Sequence, residues 1–271
     1  MKHGVLRYLL LLFLCCFQLA QADTTLPPDI DRILTRGKLI VAVSSEDIPP
    51  FFMQDKITGQ LTGYDITLAR DIARRLGVDV AFNRQASSFN GVIDLVAKGQ
   101  ADIAISLLSL TLHRAMRVGF TQPYLLLPKT LLVNRLKISK LGWEGHVSEL
   151  MKTSPNITIG VRANSSYIPY AKQEYPNAKI IPYEEIDQAM HDVEKGKIFA
   201  VFYDKVQIQT WLANHPDSAL FTQALVLKQM DPVAIAVPWH NTHLQDWLNL
   251  YLIATKEDGT QTTLKQTYLN E

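Results

Sequence analysis

The sequence predicts an α/β protein of two lobes with a cleft between them, and three observations support this fold class. Short apolar runs rich in β-branched residues alternate with segments whose apolar residues recur every three or four positions. This alternation of strand and helix is typical of a mainly parallel sheet covered by helices. The same order occurs twice along the chain with elements of similar length, which favours two similar lobes over one continuous sheet.

The first unit begins with an apolar strand at 39–43, and the Thr-Gly pairs at 58–59 and 62–63 predict the turns of a hairpin. A helix is predicted from 65 to 76, because its apolar residues fall on one face and Gly77 is a typical end signal. The unit continues with a strand at 78–82, a helix at 89–98 and a strand at 101–105.

The second unit repeats this pattern, with strands at 157–161, 178–181 and 199–203 and helices at 165–174, 184–195 and 205–213. A strand at 231–238 and a long amphipathic helix at 242–254 follow. We therefore expect lobe I to comprise 23–132 and a return segment, 228–271, and lobe II to comprise 133–227. The chain would then cross between the lobes twice, near 131–135 and 226–232, and these two segments would form a hinge.

Residues 1–22 have the pattern of a cleaved secretory signal peptide. A basic start precedes an apolar run too short to span a bilayer, and Ala20-Gln21-Ala22 supplies a small-x-small cleavage site. Cleavage would remove Cys15 and Cys16, which are the two cysteines of the chain. We therefore expect a mature protein outside the cytoplasm that uses neither disulfide nor thiol chemistry.

Composition excludes several functional classes. The chain has 27 basic and 26 acidic residues, a balance that argues against a dedicated nucleic-acid binder. A hydrophobic content of 47% with 20% charged residues argues against a disordered chain. The sequence has no HExxH pattern and none of the motifs GxxxxGK[ST], GxGxxG and GxSxG. We therefore expect no metal site, no phosphate-binding loop, no dinucleotide cofactor and no nucleophile elbow.

Polar side chains follow the predicted strands at their carboxyl ends, where a two-lobed α/β protein places its ligand site. Arg114 lies beyond the strand at 101–105, with the hydroxyls of Ser109 and Thr111 nearby. A guanidinium can hold a carboxylate through two parallel hydrogen bonds, and the neighbouring hydroxyls can complete that site. The alternative is a solvated arginine on a polar loop, which is the more common situation for this residue type.

Other candidate ligand residues have equally ordinary structural alternatives. Ser165 and Ser166 stand at a predicted helix start, where they could help to bind an anion or simply cap the helix. Asp204 follows the strand at 199–203 and could pair with an ammonium group or cap the next helix. Phe89 could form an apolar wall of the site or belong to the core.

The chain resembles the bacterial extracellular solute-binding proteins of family 3, the polar amino-acid group that serves ABC importers. No single one of the matching segments is specific to this family, but their order and spacing together are. The segments extend through nearly all of the mature chain. The resemblance is carried by residues 37–52, 59–77, 98–105, 109–124, 159–166 and 195–204.

The resemblance implies a type II periplasmic-binding-protein fold whose two lobes close on a ligand. It implies a periplasmic protein that captures a small molecule resembling an amino acid and delivers it to the permease of an ABC transporter. The expected molecule is a monomer that uses no cofactor, binds no nucleic acid and is not an enzyme.

By position, the resemblance implies ligand-binding roles for most of the candidate residues. Arg114 matches the arginine that clamps the α-carboxylate of the ligand. Ser109 matches a residue that offers groups to both ends of the ligand. Ser166, together with Ser165, matches a pair of threonines at a helix start that also receives the carboxylate.

The remaining matches concern the ammonium group and the body of the ligand. Asp204 matches the acid that pairs with the α-ammonium group, and Phe89 matches an aromatic residue that packs on the ligand. The chain also departs from the family pattern: Ile48, expected in the site, replaces a common aromatic residue, Leu107 a small residue and Asn164 a glycine. The residues that match those binding the α-carboxylate and α-ammonium groups of the ligand are therefore retained, while the pocket for the ligand side chain has changed.

Two further functions are compatible with the resemblance. One is a sensing module that uses closure on a ligand to signal to a partner protein. The other is a periplasmic enzyme similar to the dehydratases built on this scaffold, which would need a titratable acid facing the cleft. Glu46 and Asp47 are the candidates for that acid.

Overall fold

A computed structural model describes residues 26–140 and 147–269 of the chain. The predicted signal peptide, residues 1–22, lies outside the described residues. Within the described part, no helix has both the length and the apolar character that crossing a membrane requires.

The described chain alternates helices and strands from one end to the other. Its elements up to the first long strand are α1 (Pro28–Arg36), β1 (Lys38–Ala42), β2 (Met53–Gln54), β3 (Leu61–Thr62), α2 (Tyr64–Leu76), β4 (Asp79–Asn83), α3 (Phe89–Ala97), β5 (Ile103–Ala104), α4 (Leu112–Ala115) and β6 (Val118–Asn134).

Beyond that strand the elements are α5 (Arg135–Lys140), α6 (Val147–Thr153), β7 (Thr158–Arg162), α7 (Tyr167–Glu174), β8 (Lys179–Tyr183), α8 (Ile186–Glu194), β9 (Ala200–Asp204), α9 (Lys205–Asn214), a 3₁₀ helix (Pro216–Leu220), β10 (Thr222–Pro238), α10 (Thr242–Glu257) and α11 (Thr260–Leu269). The strands and helices of the two repeated units agree with the sequence prediction, but β10 begins nine residues before the predicted strand at 231–238. The prediction does not include β6, the 3₁₀ helix or the helices α1, α4, α5, α6 and α11.

Backbone pairing is continuous through the molecule, in the strand order β4-β1-β5-β10-β6-β9-β7-β8. The expectation of two separate sheets is therefore wrong at the level of hydrogen bonding. The reason is that both crossing segments are extended and pair antiparallel with each other, as β6 and β10, over 17 residues each. Their pairing register shifts between Val226 and Met230, near the middle of this ribbon.

The two lobes are distinct in their hydrophobic cores. One core lies around β1, β5, α2 and α3 and includes residues of the C-terminal helices, such as Leu244 and Leu264. The other lies around β7 and β9 and includes Phe202 and Trp211. In each lobe the three strands outside the ribbon, β4, β1 and β5 or β9, β7 and β8, are parallel, because helices connect them. The C-terminal helices pack in the first core, where α10 contacts α1 and β6 and α11 contacts α2.

A buried carboxylate holds the loop that follows β5. Asp65, in the first turn of α2, accepts hydrogen bonds from the backbone N–H of Leu107 at 2.7 Å and from the hydroxyl of Tyr124 at 2.8 Å. Burial raises the pKa of Asp65 to about 7, although both hydrogen bonds lower it. Leu107 has a φ of 50°, a left-handed conformation that is costly for a leucine. Asp65 therefore stabilises a strained backbone just before Ser109.

We expect Asp65→Ala to lower the free energy of unfolding by about 1–3 kcal/mol, because the buried N–H of Leu107 and hydroxyl of Tyr124 lose their acceptor. Asp65→Asn should lower the free energy of unfolding by less, since the amide keeps one oxygen that accepts from the N–H of Leu107 and removes a buried charge. Denaturant titration measures both variants, with Asp79→Ala on exposed β4 as the control. Equal losses for the alanine and asparagine variants would contradict this anchoring role.

Candidate functional site

A cavity lies between the lobes, where loops at the carboxyl ends of the parallel strands meet the ribbon of β6 and β10. Its volume is about 290 Å³, including the part that opens to solvent. Both lobes and the ribbon contribute to its wall, which is formed by Phe89, Leu107, Ser109, Arg114, Leu127, Ser165, Ser166, Tyr167, Tyr203, Asp204 and Asp231. The cavity thus collects six of the eight residues that sequence reasoning selected.

Arg114 is a buried cation on the lobe I side of the cavity. Only 4% of the residue is exposed, and burial lowers the pKa of its guanidinium, while nearby Asp231 acts in the opposite direction. The guanidinium donates to the carbonyl of Ser109 at 3.0 Å and to the side-chain oxygen of Asn90 at 3.2 Å. Within the described residues it has no carboxylate partner within 4.0 Å, so its charge is oriented but not neutralised by direct contact.

Ser109 joins three parts of the molecule. Its hydroxyl lies 2.7 Å from the hydroxyl of Ser166, on the opposite lobe, and donates to a carboxylate oxygen of Asp231, on β10, at 2.7 Å. Because Ser109 donates its only proton to Asp231, it accepts the proton of Ser166. This chain of hydrogen bonds connects lobe I, lobe II and the ribbon directly inside the cavity.

Asp231 is a functional candidate that sequence reasoning missed. The residue is 3% exposed, and its second carboxylate oxygen lies 3.4 Å from the hydroxyl of Tyr170. Burial raises the pKa of Asp231, while Ser109, Lys129 and Arg114 lower it. A signal was available, since an acid at the start of an apolar strand within a predicted crossing segment must lie near the cleft.

Asp204 both caps a helix and lines the cavity, so its two predicted roles are compatible. One carboxylate oxygen accepts a hydrogen bond from the backbone N–H of Gln207 at 2.9 Å, at the start of α9. The residue is 2% exposed, and burial raises its pKa to about 7, with a further contribution from Asp231. Among the described residues, no basic side chain lies within ion-pair distance of this carboxyl group.

Ser165 and Ser166 lie in the wall at the start of α7, with different partners. The hydroxyl of Ser165 donates to the carbonyl of Arg162 at 2.6 Å and accepts from the backbone N–H of Tyr167 at 3.3 Å. Ser166 makes no side-chain capping bond to the helix, so its hydroxyl is directed to Ser109. Asn164 has a φ of 54°, which explains an asparagine where glycine is common, because asparagine tolerates the left-handed region.

The structure places Thr111 and Ile48 outside this cavity. The hydroxyl of Thr111 accepts from the backbone N–H of Arg114 at 3.3 Å and caps the short helix α4. Thr111 therefore orients the segment that carries Arg114. Ile48 is buried, pairs with Phe52 through the backbone, and lines a neighbouring space of about 410 Å³ that includes open solvent.

Aromatic residues of lobe II form much of the remaining wall, and the sequence contained no signal that separates them from core residues. Tyr167 and Tyr203 are buried and pack edge to face, with ring centroids 5.1 Å apart. Among the described residues, the hydroxyl of Tyr167 has no hydrogen-bond partner although it is buried. A ligand polar group in the cavity could satisfy that hydroxyl.

The acids proposed for an enzymatic role are both paired with arginines. Glu46 forms an ion pair with Arg162, on the opposite side of the cleft. Asp47 pairs with Arg84 at 2.8 Å and is largely exposed. The described part of the chain also contains no cluster of three or more His, Cys, Asp or Glu side chains that could hold a metal ion.

Comparisons with known proteins agree with this architecture. The sequence model of the protein family described as bacterial extracellular solute-binding proteins, family 3, matches residues 39–271. ABC transporter arginine-binding protein 1 of Escherichia coli (strain K12) is 26% identical over 225 residues, which cover 80% of this chain and 84% of that protein.

Two solved structures illustrate the likeness in fold. The ancestral amino acid-binding protein AncCDT-1, a precursor of cyclohexadienyl dehydratase, is 29% identical with a TM-score of 0.72, covering 88% of this chain and 98% of that one. The amino acid ABC transporter substrate-binding protein AbpA of Streptococcus pneumoniae, bound to L-arginine, is 27% identical with a TM-score of 0.69, covering 86% and 95%.

These matches confirm the resemblance drawn from the sequence and the type II periplasmic-binding-protein fold. The matched residues include every residue of the cavity wall and, apart from Lys38 at the start of β1, all of the strands. The chain belongs to the bacterial extracellular solute-binding proteins, family 3.

Proposed function

We propose that this protein binds an amino acid between its lobes in the periplasm and delivers it to the permease of an ABC importer. The observation that carries the proposal is the charge arrangement of the cavity. In the part of the chain that the structure describes, a buried guanidinium, Arg114, lies on one lobe without a carboxylate in direct contact, and a buried carboxyl group, Asp204, lies on the other. A zwitterionic α-amino acid supplies the two missing counter-charges.

The remaining cavity residues suit the same ligand. The hydroxyls of Ser109 and Ser166 can exchange their mutual hydrogen bond for bonds to a ligand carboxylate held by Arg114. Phe89 supplies an apolar surface for the body of the ligand. Asp231, which already accepts from Ser109, adds a second acid beside the ammonium position.

Closure of the lobes would couple ligand capture to a change in the surface offered to a permease. Among the described residues, contacts that cross the cleft include Ser109 with Ser166, Glu46 with Arg162, and the amide of Gln207 with the carbonyl of Pro49 at 2.6 Å. A ligand that pairs with both lobes binds this arrangement more tightly than one in which the lobes are apart. We propose that the ribbon of β6 and β10 is the hinge and that the protein acts as a monomer.

The alternative functions have less support. A dehydratase-like enzyme would need a free acid among the residues proposed for it, and Glu46 and Asp47 are both paired. A sensing role would use the same ligand site and differ only in the partner. Calorimetric titration of the mature protein with the twenty amino acids tests the proposal, and failure of every amino acid to bind would contradict it.

We expect Arg114→Lys to weaken amino-acid binding about tenfold or more, because an ammonium group cannot reproduce the forked hydrogen bonds of a guanidinium. Arg117→Lys is the matched control, since Arg117 lies three residues away, is 44% exposed and pairs with Asp94 on the surface. Calorimetry on both folded variants provides the comparison. If Arg114→Lys bound the amino acid as tightly as Arg117→Lys, Arg114 would not be a ligand-binding residue.

Asp204→Asn should lose binding and gain stability at pH 8. Asparagine caps helices as well as aspartate does and removes a buried charge, so the free energy of unfolding should rise by about 0.5–2 kcal/mol. Binding should weaken roughly 30-fold or more, because the ligand ammonium loses its counter-charge. A variant that binds as tightly as the wild type would show that Asp204 is only a cap. Asp217→Asn, on the exposed 3₁₀ helix, serves as the control.

The raised pKa of Asp204 also predicts how stability depends on pH. The carboxyl titrates near pH 7 when folded and near its ordinary 3.8 when unfolded, so the folded state holds more protons between these values. Stability should therefore fall as the pH rises from about 4 to 7, and the fall should be smaller in Asp204→Asn. Denaturant titrations of the wild type and the variant at pH 5 and pH 8 measure how much each loses in free energy of unfolding. The contribution of Asp65, whose pKa is also raised, is the same in both proteins and cancels in the comparison. Parallel pH profiles would rule out the shift.

A further inference from the structure

We propose that the ion pair of Glu46 and Arg162 closes the ligand site to cationic side chains and makes it selective for amino acids with uncharged side chains. The inference rests on the proposed function and specifies the class of amino acid. The ion pair joins the loop after β1 on lobe I to the end of β7 on lobe II.

Phe89 shows where the pair lies relative to the ligand cavity. Its ring lines the ligand cavity and also the neighbouring space that Glu46 and Arg162 line. The guanidinium carbon of Arg162 lies 5.7 Å from the centroid of that ring. A ligand side chain that extends along Phe89 therefore reaches the guanidinium of Arg162, which already occupies the position suited to a cation over an aromatic ring.

Arg162 is the fixed partner and Glu46 the exchangeable one. The side chain of Arg162 is 12% exposed, whereas that of Glu46 is 40% exposed. Arg162 also lies close to Tyr203 in the cavity wall: burial raises the pKa of that phenol, and the guanidinium counteracts part of the rise. Displacing Arg162 would thus remove contacts with Phe89, Tyr203 and Glu46 together.

The charges of the pair determine which side chains fit. A cationic side chain meets the guanidinium of Arg162 and can pair with Glu46 only by drawing it away from Arg162; Glu184, which lines the same space, is the other acid there. An anionic side chain can replace Glu46 at Arg162, but it exchanges one ion pair for another and gains nothing. An uncharged side chain leaves the pair intact, so we expect affinities in the order uncharged, anionic, cationic.

Isosteric ligands test this order with charge as the main variable. Calorimetry should compare L-citrulline with L-arginine and L-glutamine with L-glutamate, with L-alanine, L-serine and L-lysine completing the panel. We expect the best uncharged amino acid to bind the wild type about 30-fold or more tightly than arginine or lysine, as for a buried charge left without a partner. A wild type that binds arginine as tightly as citrulline would overturn the inference.

Variants of the pair should shift the preference in a defined direction. Arg162→Gln leaves Glu46 and Glu184 facing the same space, so the affinity for arginine relative to citrulline should rise tenfold or more. Arg162→Lys retains the cation and should keep the wild-type ratio. Arg74→Gln breaks a surface ion pair with Asp71 and is the control for loss of an arginine.

The outcomes separate this inference from the proposed function. If no amino acid binds the wild type, the proposed function fails and the inference fails with it. If amino acids bind but Arg162→Gln leaves the ratio of arginine to citrulline unchanged, the inference alone is overturned. Thermal unfolding identifies any variant that does not fold. If Arg162→Gln does not fold, Arg162→Lys provides the test, since a rise of its affinity for arginine relative to citrulline above the wild-type ratio contradicts the proposal.

Discussion

The antiparallel pairing of β6 with β10 is the constraint on which the rest of the structure depends. Each strand passes through both lobes, so the two hydrophobic cores are built on opposite ends of one ribbon. The carboxyl ends of the parallel strands in each lobe consequently face the same central region, and their loops meet there. The ribbon is also part of the site, because Leu127 and Asp231 belong to it and line the cavity.

The cavity is held together by polar groups whose burial is costly. Arg114, Asp204 and Asp231 are each less than 5% exposed, and none of them forms a direct ion pair among the described residues. Burial shifts the pKa of each group toward its uncharged form. Groups with pKa values shifted in this way are concentrated at functional sites, and the zwitterionic ligand that we propose would supply counter-charges to them.

Backbone conformation near the cavity explains one departure from the family pattern, Asn164, and makes another, Leu107, energetically costly. Leu107 and Asn164 have positive φ angles and stand on opposite lobes, one just before Ser109 and the other just before Ser165. The hydrogen bond from Leu107 to Asp65 holds the first of these loops, and the intrinsic tolerance of asparagine permits the second. Both positions turn the chain so that the next hydroxyl-bearing residues face the cleft.

The fold class, most of the helices, the parallel strands of each lobe and the polar residues at strand ends could be predicted from the sequence, because periodicity and end signals are local properties. Arg114, Asp204 and Phe89 could be selected in this way, since each lies next to an element that the pattern predicts. The tertiary structure was needed to show that Thr111 caps a helix outside the cavity, that Asp231 accepts a hydrogen bond from Ser109 within it, and that Glu46 lies opposite Arg162. These facts depend on how the ribbon brings distant loops together, and no local pattern records which side chains face each other across a cleft.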